Sequence, residues 1–123
     1  MKLLDSSIWL DHLWEANRES SELIESSELL GTAIVSLFEI ERRLRQLEVS
    51  EEKIKSALQF IEKRSIIIPL NKEIIKQAVL FSLKYKLGTI DALIYASAQL
   101  FKAVLFTADN DFRGLPQVEI ISK

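Results

Sequence analysis

Gly88-Thr89-Ile90-Asp91-Ala92-Leu93-Ile94-Tyr95-Ala96-Ser97-Ala98 is a run with a single charged residue. From Thr89 to Phe101 nearly every side chain is apolar or small. An apolar surface that broad predicts a helix buried on most sides, not one lying on the outside of the molecule. Leu87-Gly88 breaks the preceding helix and Thr89 is placed to cap this one. Asp91 is the exception within it. A carboxylate leaving water needs a counter-charge, a metal or several donors, or it takes up a proton. What Asp91 faces is therefore the first question the chain poses.

Outward from this helix, short apolar strands alternate with helices. Downstream, Ala103-Val104-Leu105-Phe106 reads as a strand, Thr107 to Leu115 as a polar loop or short helix, and Val118 to Ile121 as a last strand after Pro116. Upstream, Asn71 caps a helix through Ile74, Ala78 and Ser82, and Ser65-Ile66-Ile67-Ile68 is a β-branched strand stopped by Pro69. Two helices precede that strand. One opens at Ser36-Leu37-Phe38-Glu39; the other carries Ile54, Leu58 and Ile61, after a break at Val49-Ser50. Thr32 to Val35 reads as a buried strand, and Ser20 to Leu30 as a helix closed by Gly31. Lys2 to Leu4 fits a central strand ending at Asp5, with Ser6 and Ser7 capping a helix through Trp9 and Trp14. Strands alternating with helices predict an α/β fold: a parallel sheet of about five strands in three α/β/α layers, one domain over residues 1–123.

Composition narrows the chemistry. The chain has no cysteine and one histidine, His12, so disulfides, thiolate zinc sites and histidine clusters are excluded. The net charge of −2 points to no bulk attraction for nucleic acid. Asp91 and Lys102 interrupt the longest apolar runs short of the ~20 residues of a membrane span. Met1 to Asp5 lacks the apolar core of a signal peptide, and a cytoplasmic protein without a membrane segment is expected.

In a parallel α/β fold the strand C-termini and helix N-termini share one edge of the sheet, where ligands bind. Asp5 ends the first strand, Glu39 is expected in the first turn of the helix after the second, and Asp91 is in the first turn of the apolar helix. Asp109 lies 18 residues beyond Asp91, one helix down and one strand up. Each acid also has a local explanation. Asp5 fits a helix cap, Ser36-x-x-Glu39 a capping box, Asp91 the helix dipole and Asp109 an Asx-turn. Four carboxylates arriving at one edge repel one another, and a divalent cation resolves that repulsion. Oxygen-only ligands suit Mg²⁺ or Mn²⁺, and phosphoryl chemistry follows from such a site. Ser7 and Thr107 have hydroxyls placed to orient a carboxylate or a water, or simply to cap strand ends. Asp111 is read either as a fifth acid or as a solvated loop residue.

The blocks Leu4-Asp5-Ser6-Ser7, Ser36-Leu37-Phe38-Glu39, Thr89-Ile90-Asp91-Ala92-Leu93-Ile94 and Leu105-Phe106-Thr107-Ala108-Asp109-Asn110-Asp111-Phe112 resemble those of PIN domains. More closely, they are similar to the VapC toxins of toxin–antitoxin pairs. The resemblance spans nearly the whole chain. It implies a Mg²⁺- or Mn²⁺-dependent ribonuclease with Asp5, Glu39, Asp91 and Asp109 as its catalytic acids. Asp5, Asp91 and Asp109 would be metal ligands, and Glu39 a ligand or a base acting on water. It also implies an RNA substrate, a cognate VapB-type antitoxin and a homodimer. Substrate grip must then come from local cations, with Arg42, Arg43 and Arg113 as candidate RNA or antitoxin contacts, and Arg45, Lys84 and Lys86 behind them. Trp9 is assigned to the core; Trp14 fits core or interface.

Two other classes compete. A receiver-like phosphoacceptor needs an acid at the end of the third strand, where Ile68-Pro69-Leu70 has none. A catalytically silent PIN-like module binding RNA or protein would keep the fold and lose the chemistry.

Overall fold

The computed structural model describes residues 1–15 and 17–121. Five parallel strands form one sheet in the order β3-β2-β1-β4-β5: β1 (Lys2–Leu4), β2 (Leu30–Ala33), β3 (Ile66–Ile68), β4 (Val104–Thr107) and β5 (Val118–Ile120). The helices are α1 (Ser6–Leu10), α2 (Arg18–Glu25), α3 (Ile34–Gln46), α4 (Glu51–Arg64), α5 (Lys72–Tyr85) and α6 (Thr89–Leu100). A π-helical turn, Asp11–Glu15, prolongs α1, and a 3₁₀ turn, Asn110–Phe112, follows β4.

Alternation along the strands feeds two cores. Leu3 and Leu105 face one core, with Ile74, Ala78, Ile94 and Tyr95 of α5 and α6. Leu4 and Leu30 face the other, with Ile8, Trp9, Ile24, Ile40, Leu44, Ile54 and Ile61 of α1 to α4. The chain thus steps outward from β1 to β3 with its helices on one face. It returns past β1 to β4 with α5 and α6 on the other, as right-handed crossovers require when the direction of travel reverses. The result is the three-layer α/β/α arrangement expected from the alternation of elements.

Local details differ from the sequence expectations, each for a physical reason. Asp5, not Ser6 or Ser7, is the N-cap of α1, its carboxylate accepting from the Ser7 N–H. The second helix runs over Arg18–Glu25 under an Asn17 cap, shorter than Ser20 to Leu30. Gly31 is no C-cap: it lies inside β2, opposite Leu3 and Ile66, where a Cβ would meet Met1 Sδ at 2.9 Å and Leu3 Cδ1 at 3.2 Å. The second strand ends at Ala33 rather than Val35, and α3 starts at once, with Ala33 as an N-cap offering no side-chain bond. The capping box at Ser36 is therefore absent. Ser36 is the third residue of α3, fully buried, and Glu39 the sixth, in the second turn rather than the first. Gly88, not Thr89, caps α6, while Lys86 closes α5 in the left-handed conformation (φ 56°).

Trp9 is fully buried and donates from Nε1 to Thr32 Oγ1 at 3.1 Å; Trp14 is 53% exposed, outside the core. No helix among the described residues is long and apolar enough to cross a membrane.

Candidate active site

The site lies where strand order switches, between β1 and β4. Asp5 follows the last residue of β1 and is tied to both strands. Its N–H donates to Phe106 O at 3.1 Å, fastening it to β4. One carboxylate oxygen, Oδ1, accepts from the Ser7 N–H (2.9 Å) and from the Ser7 hydroxyl. The other, Oδ2, accepts from the Thr107 hydroxyl at 2.5 Å. Both hydroxyls also accept from backbone across the switch point, Ser7 Oγ from Ala108 N and Thr107 Oγ1 from Asp109 N, each at 2.9 Å. Two hydroxyls thus stitch the ends of β1 and β4 together through one carboxylate that is only 3% exposed. Burial pushes the Asp5 carboxyl from 3.8 up to about 6, against the lowering effect of those donors.

Asp91 is the third residue of α6, whose axis carries it to the same edge. Its carboxylate accepts no hydrogen bond among the described residues. Burial first, then the charges of Asp109, Glu39, Asp5 and Asp111 in that order, push its pKa from 3.8 up to about 7. Four distant acids acting on one carboxylate define a convergence point. Asp109 caps the 3₁₀ turn, its Oδ1 accepting from Asp111 N at 2.9 Å. Glu39 is half-buried and accepts from the Ser6 hydroxyl at 3.0 Å through Oε1.

The tightest grouping is Asp91, Asp109 and Asp111, which each offer an oxygen within 4.8 Å of the other two. Asp111 therefore sits beside Asp91 and Asp109. Asp5 and Glu39 stand just outside that trio: Asp5 has both oxygens engaged by hydroxyls, and Glu39 is held by Ser6. The Asp-Asn-Asp spacing across a tight turn was the signal available for Asp111. Ser6 carried no such signal, because its partner is 33 residues away.

The candidate cations divide. Arg113 donates from Nε and Nη2 to Asn110 Oδ1, at 3.2 and 2.8 Å, and pairs with neither acid beside it. Arg42 lies over the Phe38 ring, 5.5 Å from its centroid. Arg43 is exposed on α3, with no hydrogen bond or ion pair among the described residues. Arg45 is neutralised by Glu41 and Glu51, Lys84 lies over Tyr85, and Lys86 closes α5.

A model of the PIN domain matches residues 2–117. The chain belongs to the PIN domain family. Comparison with curated proteins gives no match. Among solved structures, this PIN domain is similar to a toxin–antitoxin complex from Klebsiella pneumoniae (TM-score 0.82, 24% identity, all of both chains covered). It is also similar to VapBC2 from Rickettsia felis bound to a promoter DNA fragment (TM-score 0.79, 17% identity, 99% of this chain and 98% of that one). A sarcin–ricin loop-cleaving VapC toxin of Mycobacterium tuberculosis resembles it at TM-score 0.78 and 14% identity, over 98% of both chains. These likenesses extend the family fold over the whole PIN domain.

The acid set fits a hard divalent cation. Three carboxylate oxygens lie close enough to share one ion, every donor is oxygen, and Asp91 has a raised pKa with no donor to offset its charge. Removing the negative charge by protonation, or balancing it by a cation, are the two ways such a cluster is relieved.

Proposed function

We propose that this PIN domain is a VapC-type toxin, a Mg²⁺- or Mn²⁺-dependent endoribonuclease held in check by a VapB-type antitoxin in the cytoplasm. The convergence of Asp5, Glu39, Asp109 and Asp111 on Asp91 is the observation that supports it most. Asp91, Asp109 and Asp111 would hold the ion, with Asp5 and Glu39 completing the carboxylate set. When bound, the ion neutralises the cluster and supplies Lewis-acid polarisation of a phosphodiester.

The chain's own residues do the remainder. Ser7 and Thr107 hold Asp5 in one orientation, so the cluster keeps its shape before substrate arrives. Glu39, with Oε1 held by Ser6, keeps Oε2 free to take a proton from the attacking water. Arg113, oriented by Asn110, and Arg43 are placed to meet the anionic backbone of RNA. The similar complexes include toxin–antitoxin pairs, and by analogy an antitoxin would cover this acidic edge.

A homodimer has a candidate face. Ile75, Val79 and Leu83 repeat every four residues along α5 and are all exposed, Leu83 at 75%. A groove of about 510 Å³, lined by Ile75, Val79, Ser82, Thr89 and Leu93, runs beside them. An apolar stripe of that length is an association surface. Leu83→Asp is expected to halve the mass found by light scattering and leave the fold intact; an unchanged mass would place the dimer elsewhere or remove it.

Incubating the purified protein with total RNA and sequencing the new 5′ ends tests the main proposal. Cuts at fixed positions should appear with Mg²⁺ or Mn²⁺ and vanish with EDTA. Metal-independent cuts would sink the mechanism, and no cuts under any condition would favour a silent binding module.

A further inference from the structure

One aromatic on the helix that bears Glu39 is left without a core. Phe38 precedes Glu39 on α3 and is 58% exposed, whereas Ile40 and Leu44 of the same helix are buried. The Arg42 guanidinium lies over its ring, and the two border a groove of about 360 Å³ shared with Leu37, Glu41 and Arg45. The charges in that groove are not equivalent. Arg45 bonds Glu41 at 3.0 Å and Glu51 through both of its terminal nitrogens. Arg42 makes no ion pair among the described residues, whereas Arg45 is held by two carboxylates, so Arg42 is the guanidinium of this groove that an outside anion can meet.

We propose that Phe38 and Arg42 form a stacking subsite for one nucleobase of single-stranded RNA, on the helix that also carries Glu39. This rests on the ribonuclease reading of that cluster. A nucleotide presents an aromatic face and an anion together; Phe38 matches the first and Arg42 the second. Bases stack on phenylalanine rings and on guanidinium planes alike, and the preference is tolerant of sequence. An apolar protein segment laid on the same ring would desolvate Arg42 without supplying a counter-charge.

The test is fluorescence anisotropy with a labelled ten-nucleotide oligouridylate and an abasic strand of the same backbone. Both are titrated with the full chain carrying Asp91→Asn, so that neither is cut. Adding Phe38→Ala should weaken the oligouridylate roughly tenfold and leave the abasic strand unchanged. Phe38→Tyr should keep parent affinity. Arg42→Gln should weaken both strands and flatten the salt dependence by about one counterion. Equal effects of Phe38→Ala on the two strands, or none on either, would overturn the subsite while leaving the nuclease reading intact. So would a Phe38→Ala protein that loses the cognate antitoxin but keeps the oligouridylate. If the Asp91→Asn parent binds neither strand, the subsite falls, and the nuclease reading stands or falls on the cleavage of total RNA. Because Phe38 is exposed, its variants should melt with the parent.

Discussion

Asp91→Asn is expected to lower RNA cleavage by at least about a hundredfold and, at pH 8 without metal, to raise the stability of the protein. The two effects share a cause. In the folded chain the Asp91 carboxyl is pushed up to about 7 by burial and by Asp109, Glu39, Asp5 and Asp111. In the unfolded chain it returns to its ordinary 3.8. Below pH 4 both states are protonated and the residue is neutral in stability. Between pH 4 and 7 the unfolded state releases its proton first, so stability falls as pH rises. Above pH 7 the full cost of the ionised carboxylate is present. After allowing for solvent screening of this partly exposed group, that cost is about 1–2 kcal/mol. Asparagine removes it. The melting temperature of Asp91→Asn should match the parent at pH 4 and exceed it by roughly 3–8 °C at pH 8 in EDTA. Saturating Mg²⁺ should stabilise the parent more than the variant and close the gap. A variant less stable than the parent at pH 8 would mean that Asp91 serves the fold rather than a ligand.

Thr107→Val should be the most damaging change outside the acids themselves. The hydroxyl donates to Asp5 Oδ2 and accepts from the Asp109 N–H. Valine keeps the volume and orphans both groups in a fully buried position. Stranding them costs about 2–4 kcal/mol. The loss should also depend on pH. The Thr107 hydroxyl is one of the donors that hold the Asp5 pKa down, so its removal lifts that pKa above about 6. An ionised Asp5 is then harder to keep in the fold, and the penalty grows as pH rises through 6. Urea unfolding in EDTA at pH 5 and pH 7.5 should show the larger loss at 7.5. Cleavage should fall about ten- to a hundredfold, because Asp5 and Asp109 lose their common tether. Thr107→Ser should restore most of both. A Thr107→Val protein with parental stability at both pH values would show that the hydroxyl contributes nothing.

Much of the architecture was legible in the chain. The alternation of short apolar runs with helical periodicity is a local property, and it carried the five parallel strands and the three layers. Asp91 stood out because an apolar helix gives a carboxylate no reason to be there. Asp5 and Asp109 were legible for a different reason: direction in a parallel sheet brings their strand ends to one edge. The errors cluster where one signal serves two structures. Ile34 and Val35 are β-branched and look like strand, yet α3 begins at Ile34 without any loop after β2. Ser36 and Glu39 match a capping box by spacing alone; the early start of the helix buries Ser36 and moves Glu39 into the second turn. Gly31 resembles a helix terminator, while its use is to let Met1 and Leu3 pack closely over β2.

What the chain could not disclose is pairing at long range. Thr107 and Asp5 are 102 residues apart, Ser6 and Glu39 33 apart, and no local pattern links them. Exposure is equally non-local. Trp14 and Phe38 are large aromatics whose place only the tertiary fold decides, and it leaves both outside the core.

The central claim is that the carboxylate cluster is a cation site. Anomalous diffraction at the manganese edge, on crystals soaked in Mn²⁺, tests it most directly. A peak among Asp91, Asp109 and Asp111, lost in the Asp91→Asn protein, is the expected result. A map with no manganese among these acids, from crystals of the unsubstituted protein at saturating Mn²⁺, would contradict it.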